Sequence, residues 1–424
     1  MSPNSLASAW SALFVVALLA GTALELWLAA RQIAHVRAHR GAVPAPFAAA
    51  IELAAHHKAA DYTVARARLG QWHGAWSALL LLGWTVGGGL HALAGVLGTT
   101  LGESPLAQLA LLGAFALIGA LLDLPWELGR TFGLEARFGF NRSTPALFIV
   151  DALRNALVSA LLLGPLALLL LWLMRASALW WLWGWAAFAA FSLAMMVLFP
   201  MVIAPLFNRF EPLADGEVKR RAQDLMQRCG FALQGLYVMD GSRRSAHANA
   251  YFTGIGAARR VVLFDTLLAQ LTPPQVEAVL AHEVGHYQRH HVRQRLLLTL
   301  ALSLLGFALL GWLASRAWFY AGLGLGDAPL AQQQAVALIL FMLVLPVFGV
   351  FLTPLGAAWS RRHEFEADAY AAQHADAGEL GAALVRMYRD NASTLTPDPL
   401  YVRFHYSHPP ALQRLARLGA LPRT

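Results

Sequence analysis

The sequence predicts a mainly α-helical membrane protein, with seven spanning helices and an inserted polar α+β domain. Three observations lead there. Hydrophobic residues make up 58% of the chain and charged residues only 13%, against about 25% charged in ordinary soluble domains. Apolar runs of the roughly 20 residues that cross a bilayer recur along the chain. A single long polar stretch, residues 207–295, interrupts them. The mean hydropathy of +0.52 argues against disorder, coiled coil and fibre. The lone cysteine, Cys229, excludes both an intrachain disulfide framework and a Cys-rich zinc module, and reads as a buried or indifferent thiol.

The candidate spans are about 10–30, 75–97, 106–126, 149–174, 178–206, 296–320 and 334–358. The first is too long for a signal peptide and has no basic residue before it, so it reads as a helix. The domain plan is therefore residues 1–206 with five spans, 207–295 as an insert, 296–358 with two spans, and 359–424 as a tail. Six basic residues (Arg31, Arg37, Arg40, Lys58, Arg66, Arg68) lie between the first two spans, and Arg130, Arg137 and Arg142 lie between the third and fourth. The insert holds twelve more, whereas the opposite side holds one, or two with Arg316. The positive-inside rule places the N-terminus outside and the insert and C-terminus in the cytoplasm. This distribution, facing anionic membrane lipid, accounts for the net charge of +8 without a nucleic-acid partner. Thirty of the 32 basic residues are Arg in an Ala- and Leu-rich chain, which points to a GC-rich bacterial genome and hence a bacterial inner membrane, or the endoplasmic reticulum membrane for a eukaryotic source.

Within the insert, residues 216–229 read as an amphipathic helix. Residues 235–240, 249–254 and 258–264 read as strands, the last two joined by a Gly-containing turn, and Asp265-Thr266 as a helix start. Asp123, Asp151 and Arg154 fall at span ends, where they serve as interface anchors or face a wet interior. Thr272-Pro273-Pro274-Gln275 gives a capping hydroxyl, a proline at the first helical position and a Gln three residues on. The helix it starts runs into His282-Glu283-Val284-Gly285-His286. Residues four apart share a helix face, so both imidazoles can converge on one metal ion. Glu283 is then placed to shuttle a proton from a water that zinc acidifies to a pKa of about 7. The plainer reading, a His-rich helix end, draws on His290 and His291. A chance match to this pattern in such a composition occurs in roughly 1–2% of sequences.

A catalytic zinc site needs a third protein ligand and an open position. Residues 360–369, leaving the seventh span, supply candidates on the same side of the membrane. Glu364 and Asp368 share a face, so Glu364 can ligate while Asp368 orients a ligand histidine through its free ring N–H. Spacing leaves His363 and Glu366 open as alternatives. Zinc is favoured by the ligand types.

Five ordered stretches make the chain closely resemble the type I CAAX prenyl endopeptidases, polytopic zinc metalloproteases. They are Ala204–Phe210, Arg244–Gly254, Val279–Tyr287, Ser360–Ala369 and His405–Pro410. The resemblance implies seven helices closed around an intramembrane chamber with the zinc site at its cytoplasmic end. It implies His282, His286 and Glu364 as ligands of one Zn2+ per chain, Glu283 as general base and Asp368 as the supporting acid. Asn249 and His408 become the residues that approach the substrate and the developing oxyanion. The implied activity is cleavage near a prenylated C-terminal Cys-a-a-X motif, so a peptide or protein is the expected partner. Residues 249–254 could also form a sheet edge to which a peptide adds. Competing readings are a heat-shock membrane protease of the HtpX type, a site-2 type protease, and a transporter with a regulatory metal. The site-2 type would carry its motif inside a span, and a structural metal site has no use for Glu283.

Overall fold

The computed structural model describes residues 3–231, 235–253, 260–326 and 333–419. Its membrane part comprises α1 (Pro3–Ala38), α2 (Leu53–Trp84), α3 (Gly89–Leu101), α4 (Pro105–Leu128), α5 (Pro145–Ala176) and α6 (Trp180–Leu198). After a π-helical turn come α7 (Ala204–Phe207), β1 (Phe210–Pro212), α8 (Glu217–Arg228), β2 (Gly235–Met239), β3 (Ala250–Thr253) and β4 (Arg260–Phe264). The chain continues through α9 (Asp265–Gln270), α10 (Pro273–Gln288), α11 (His291–Leu313), α12 (Ala317–Ala321), α13 (Gln333–Gly349) and α14 (Thr353–His374). It closes with α15 (Ala377–Asp390), α16 (Pro399–His405) and α17 (Ala411–Leu418).

Among the described residues six helical stretches are long and apolar enough to cross a membrane, and α2 with α3 makes a seventh if that bent pair counts as one span. The run expected as one span at 75–97 is thus two helices meeting at 50°. The cause is Gly87-Gly88-Gly89. Gly88 has φ +76°, and a Cβ on Gly87 or Gly89 would sit 2.9 or 2.8 Å from the Gly83 backbone. The basic segment after the first span is largely helical. With 36 residues α1 is about 54 Å long, well beyond a hydrocarbon core of about 30 Å, so it carries Arg31 and Arg37 out on its own end. Starts are locally encoded: Ser104 Oγ accepts from Ala107 N–H at 3.1 Å, and Thr144 Oγ1 from Leu147 N–H at 3.2 Å, each just before a proline.

The membrane helices enclose a chamber rather than a solid core. A cavity of about 1120 Å³ runs from α1, α2 and α4 to the tail. One apolar cluster, around Phe14, Leu171 and Phe319, closes one end. A second, around Leu225, Leu263, Leu280 and Ala383, fills the insert and joins it to the tail helices. The insert's sheet has the order β1-β2-β4-β3, with β2 and β4 parallel and β3 antiparallel on β4. β3 is therefore an edge strand. The turn expected between the last two strands, with Gly254, Ala258 and Arg259, lies outside the described residues.

Candidate metal centre

α10 starts as its sequence indicated, with Gln275 Oε1 accepting from Thr272 N–H at 3.2 Å. It packs against α14 so closely that a Cβ on Gly285 would lie 3.0 Å from both Cα and O of Ala367. That approach brings the His282 and His286 face onto Glu364. One ligand atom from each of the three side chains lies within 4.8 Å of the others, the two carboxylate oxygens of Glu364 facing one imidazole each. His282 Nε2 and His286 Nε2 are 3.2 Å apart, and Glu364 oxygens lie 3.4 Å from the first and 3.3 Å from the second. A four-coordinate metal with bonds of about 2.0–2.1 Å sets neighbouring donors about 3.3–3.4 Å apart. Glu364 Oε2 is buried and accepts no hydrogen bond, a state that costs free energy without a cation to satisfy it. Among the described residues this is the one group of three or more His, Cys, Asp or Glu side chains placed to share an ion. The residues fit a metal.

The outer ring nitrogens are held as firmly. Asp368 Oδ1 lies 2.8 Å from His282 Nδ1, and Arg414 from α17 binds the same carboxylate through two contacts of 2.5 and 2.8 Å. Asp368 and Arg414 are buried, 2% and 6% exposed, so each charge answers the other. His286 Nδ1 meets His291 Nδ1 at 3.0 Å, and His291 Nε2 meets Glu366 at 3.1 Å. His290, in the left-handed region at φ 59°, makes the turn between α10 and α11 that folds His291 back onto His286. His290 and His291, the basis of the helix-end reading, thus belong to the support of the site.

The open alternatives for a third ligand separate cleanly. Glu366 faces His291, and His363 stacks on His291 at 3.9 Å with its Nε2 on Gln294. Glu364 alone reaches the two histidines. Glu283 is partly buried beside them. Burial pushes its carboxyl up, and the two imidazoles pull it back. His408 approaches from the tail, its Nε2 3.5 Å from Glu364, with a side chain two-thirds open toward the chamber. Arg361 fixes that approach by donating to the carbonyls of Val402 at 3.0 Å and Tyr406 at 2.7 Å. Asn249 is not drawn into the cluster. It is exposed at the head of β3, its amide oxygen accepting from Ala250 N–H at 2.9 Å. Asn391, which lines the chamber, accepts from the neighbouring Ala248 N–H at 3.2 Å.

At the span ends, Asp151 holds Arg244 of the insert in a bidentate pair at 2.8 and 3.0 Å, and Arg154 donates to the Leu206 carbonyl. Asp123 meets His73, which lines the chamber, at 2.6 Å. Sequence reading did not find the roles of Arg414 or Arg361, and took His291 only for part of a His-rich helix end. The signal available for Arg414 was one of two arginines, with Arg417, in the short helix after the His405–Pro410 stretch.

Two family models together cover most of the chain. Residues 32–209 match the CAAX prenyl protease N-terminal model of five membrane helices, and residues 212–421 match peptidase family M48. CAAX prenyl protease 1 of Saccharomyces cerevisiae is 36% identical over 333 residues, covering 74% of this chain and 73% of the relative. The chain belongs to peptidase family M48. The Caenorhabditis elegans homologue is 30% identical over 97% of this chain and 98% of its own. The crystal structure of S. mikatae Ste24p superposes with a TM-score of 0.89 at 29% identity, covering 96% of this chain and 99% of that one. This M48 peptidase is a multi-pass membrane metalloendopeptidase acting on peptide or protein substrates. The HtpX-type, site-2 and transporter readings are not favoured.

Proposed function

We propose that this M48 peptidase is a zinc enzyme that cleaves near the C-terminus of prenylated Cys-a-a-X polypeptides. The observation that carries it is the convergence of His282, His286 and Glu364, contacts of 3.2–3.4 Å in a His₂Glu donor set with no fourth protein ligand among the described residues. Zinc held there supplies Lewis acidity to the scissile carbonyl and to a water molecule. Glu283, next in sequence to a ligand and raised in pKa by burial, takes the proton from that water and passes it to the leaving amine. His408, held over the site by the Arg361 clamp, donates an N–H to the negative charge developing on the carbonyl oxygen. Asp368 fixes the tautomer and angle of His282.

The substrate class is supported by the relatives, which are named CAAX prenyl protease 1. The open edge of β3 supports binding of an extended peptide through backbone hydrogen bonds, with Asn249 at its head. The chamber supplies room for a lipid chain beside it. We assign catalysis to the insert 207–295 with the tail 359–424, both facing the cytoplasm. A bacterial inner membrane is supported by the Arg-rich composition.

The test is cleavage of a farnesylated Cys-a-a-X peptide by detergent-purified protein, wild type beside Glu283→Ala, with and without a zinc chelator. Wild-type cleavage that the chelator abolishes and the variant lacks is the expected result. Equal turnover by Glu283→Ala would sink the mechanism.

A further inference from the structure

The chamber is lined by acids that already have partners. Glu25 faces His405 at 3.3 Å, and Glu127 holds Arg130 at 2.6 Å. Glu135 accepts from Tyr62 at 2.7 Å and faces His247 at 3.6 Å. One cation on the same wall is different. Arg66, on α2 one turn beyond Tyr62, lines the cavity and is exposed to it, and makes no ion pair or hydrogen bond among the described residues. Its charge is felt by the phenols of Tyr62, Tyr401 and Tyr406. Tyr406 stands two residues before His408, so Arg66 belongs to the end of the chamber that opens on the metal centre.

A guanidinium left unpaired beside acids that have other partners is available to an incoming anion. Its planar fork matches a carboxylate in two parallel charge-assisted hydrogen bonds. The reading of this protein as a Cys-a-a-X peptidase, on which the inference rests, supplies such a group at the right scale. A peptide cut three residues from its end carries its terminal carboxylate about 10 Å from the scissile bond when extended. Without a cation there, that carboxylate would enter a cavity ringed by Glu25, Glu127 and Glu135. We propose that Arg66 binds the C-terminal carboxylate of the substrate, so that the chamber selects chains with a free C-terminus close behind the scissile bond.

The experiment compares one fluorescent farnesylated Cys-a-a-X peptide as free acid and as C-terminal amide. Binding to zinc-loaded Glu283→Gln protein in detergent is measured, then binding to Glu283→Gln/Arg66→Gln and Glu283→Gln/Arg66→Lys. The acid is expected to bind about 10–100-fold more tightly than the amide. Arg66→Gln should bring that ratio close to one, and Arg66→Lys should restore part of it. Equal binding of acid and amide to the parent, a preference that survives Arg66→Gln, or binding of neither peptide overturns the subsite. Turnover of the same two peptides by wild type separates the two ideas. Glu283-dependent cleavage without acid–amide discrimination removes the subsite and leaves the peptidase reading. Discrimination in binding without cleavage removes the peptidase reading and leaves the subsite.

Discussion

His282 has both ring nitrogens committed, Nε2 toward His286 and Glu364, and Nδ1 to Asp368 at 2.8 Å. A neutral imidazole has one N–H, so the Asp368 contact decides that Nε2 carries the lone pair. Arg414 then holds Asp368 still from the far side. Replacing Asp368 by Asn keeps the shape but removes the charge, and leaves a buried guanidinium without its counter-ion. We expect Asp368→Asn to weaken zinc binding about 10–100-fold. Competition with a chromogenic chelator measures it. Unchanged affinity would show that His282 is oriented by α10 packing alone. Much of this could not be read from the sequence. His282 and His286 are legible because a helix places residues four apart together. Arg414 lies 132 positions from His282, and an Arg in an amphipathic helix reads as surface until the fold buries it.

Between elements, the decisive contact is α10 against α14. The sequence showed each helix but not their separation, because backbone approach is a property of two segments at once. Gly285, inside the metal motif, is where the approach is tightest. An added Cβ would press on the backbone of Ala367 at 3.0 Å and on Tyr370 Cβ at 3.1 Å, and backbone cannot swing aside as a side-chain end can. Gly285→Ala should therefore cost about 1–3 kcal/mol by overpacking, despite the better helix propensity of Ala. It should also spread the His pair from Glu364, lowering both melting temperature and zinc affinity. Gly306→Ala in α11 is the control. Its Cβ would meet only the Phe341 ring, at 3.9 Å, so it should be neutral or slightly stabilising. A Gly285→Ala protein with wild-type melting and zinc binding would mean that the two helices slide without cost. The break between α2 and α3 teaches the same point from the other side. Hydropathy marked 75–97 as one span because a glycine triplet barely lowers an apolar average, whereas its backbone ends a helix.

At the scale of the molecule, the two apolar clusters lie at opposite ends of the helices that wall the chamber. α4 sets the span between them. Its 24 residues cover about 36 Å, from the turn at Gly102–Ser104 to the segment that pairs with the insert. There Arg142 N–H donates to the Arg244 carbonyl and Ala246 N–H to Phe140, and Asp151 locks Arg244 in place. The insert is thus tied to one face of the membrane by backbone and by charge. Glu103 stands exposed on the other face. From the excess of Arg on the insert side we propose that this face is the cytoplasmic one, since Lys and Arg are retained where the translocation machinery leaves them. The single native cysteine makes the test simple. In a Cys229→Ser background, Glu103→Cys should react with a membrane-impermeant maleimide in intact spheroplasts, and Arg243→Cys only after permeabilisation. Labelling of position 243 in intact cells would reverse the orientation and place the metal centre, with its chamber mouth and its substrates, on the outer side of the membrane.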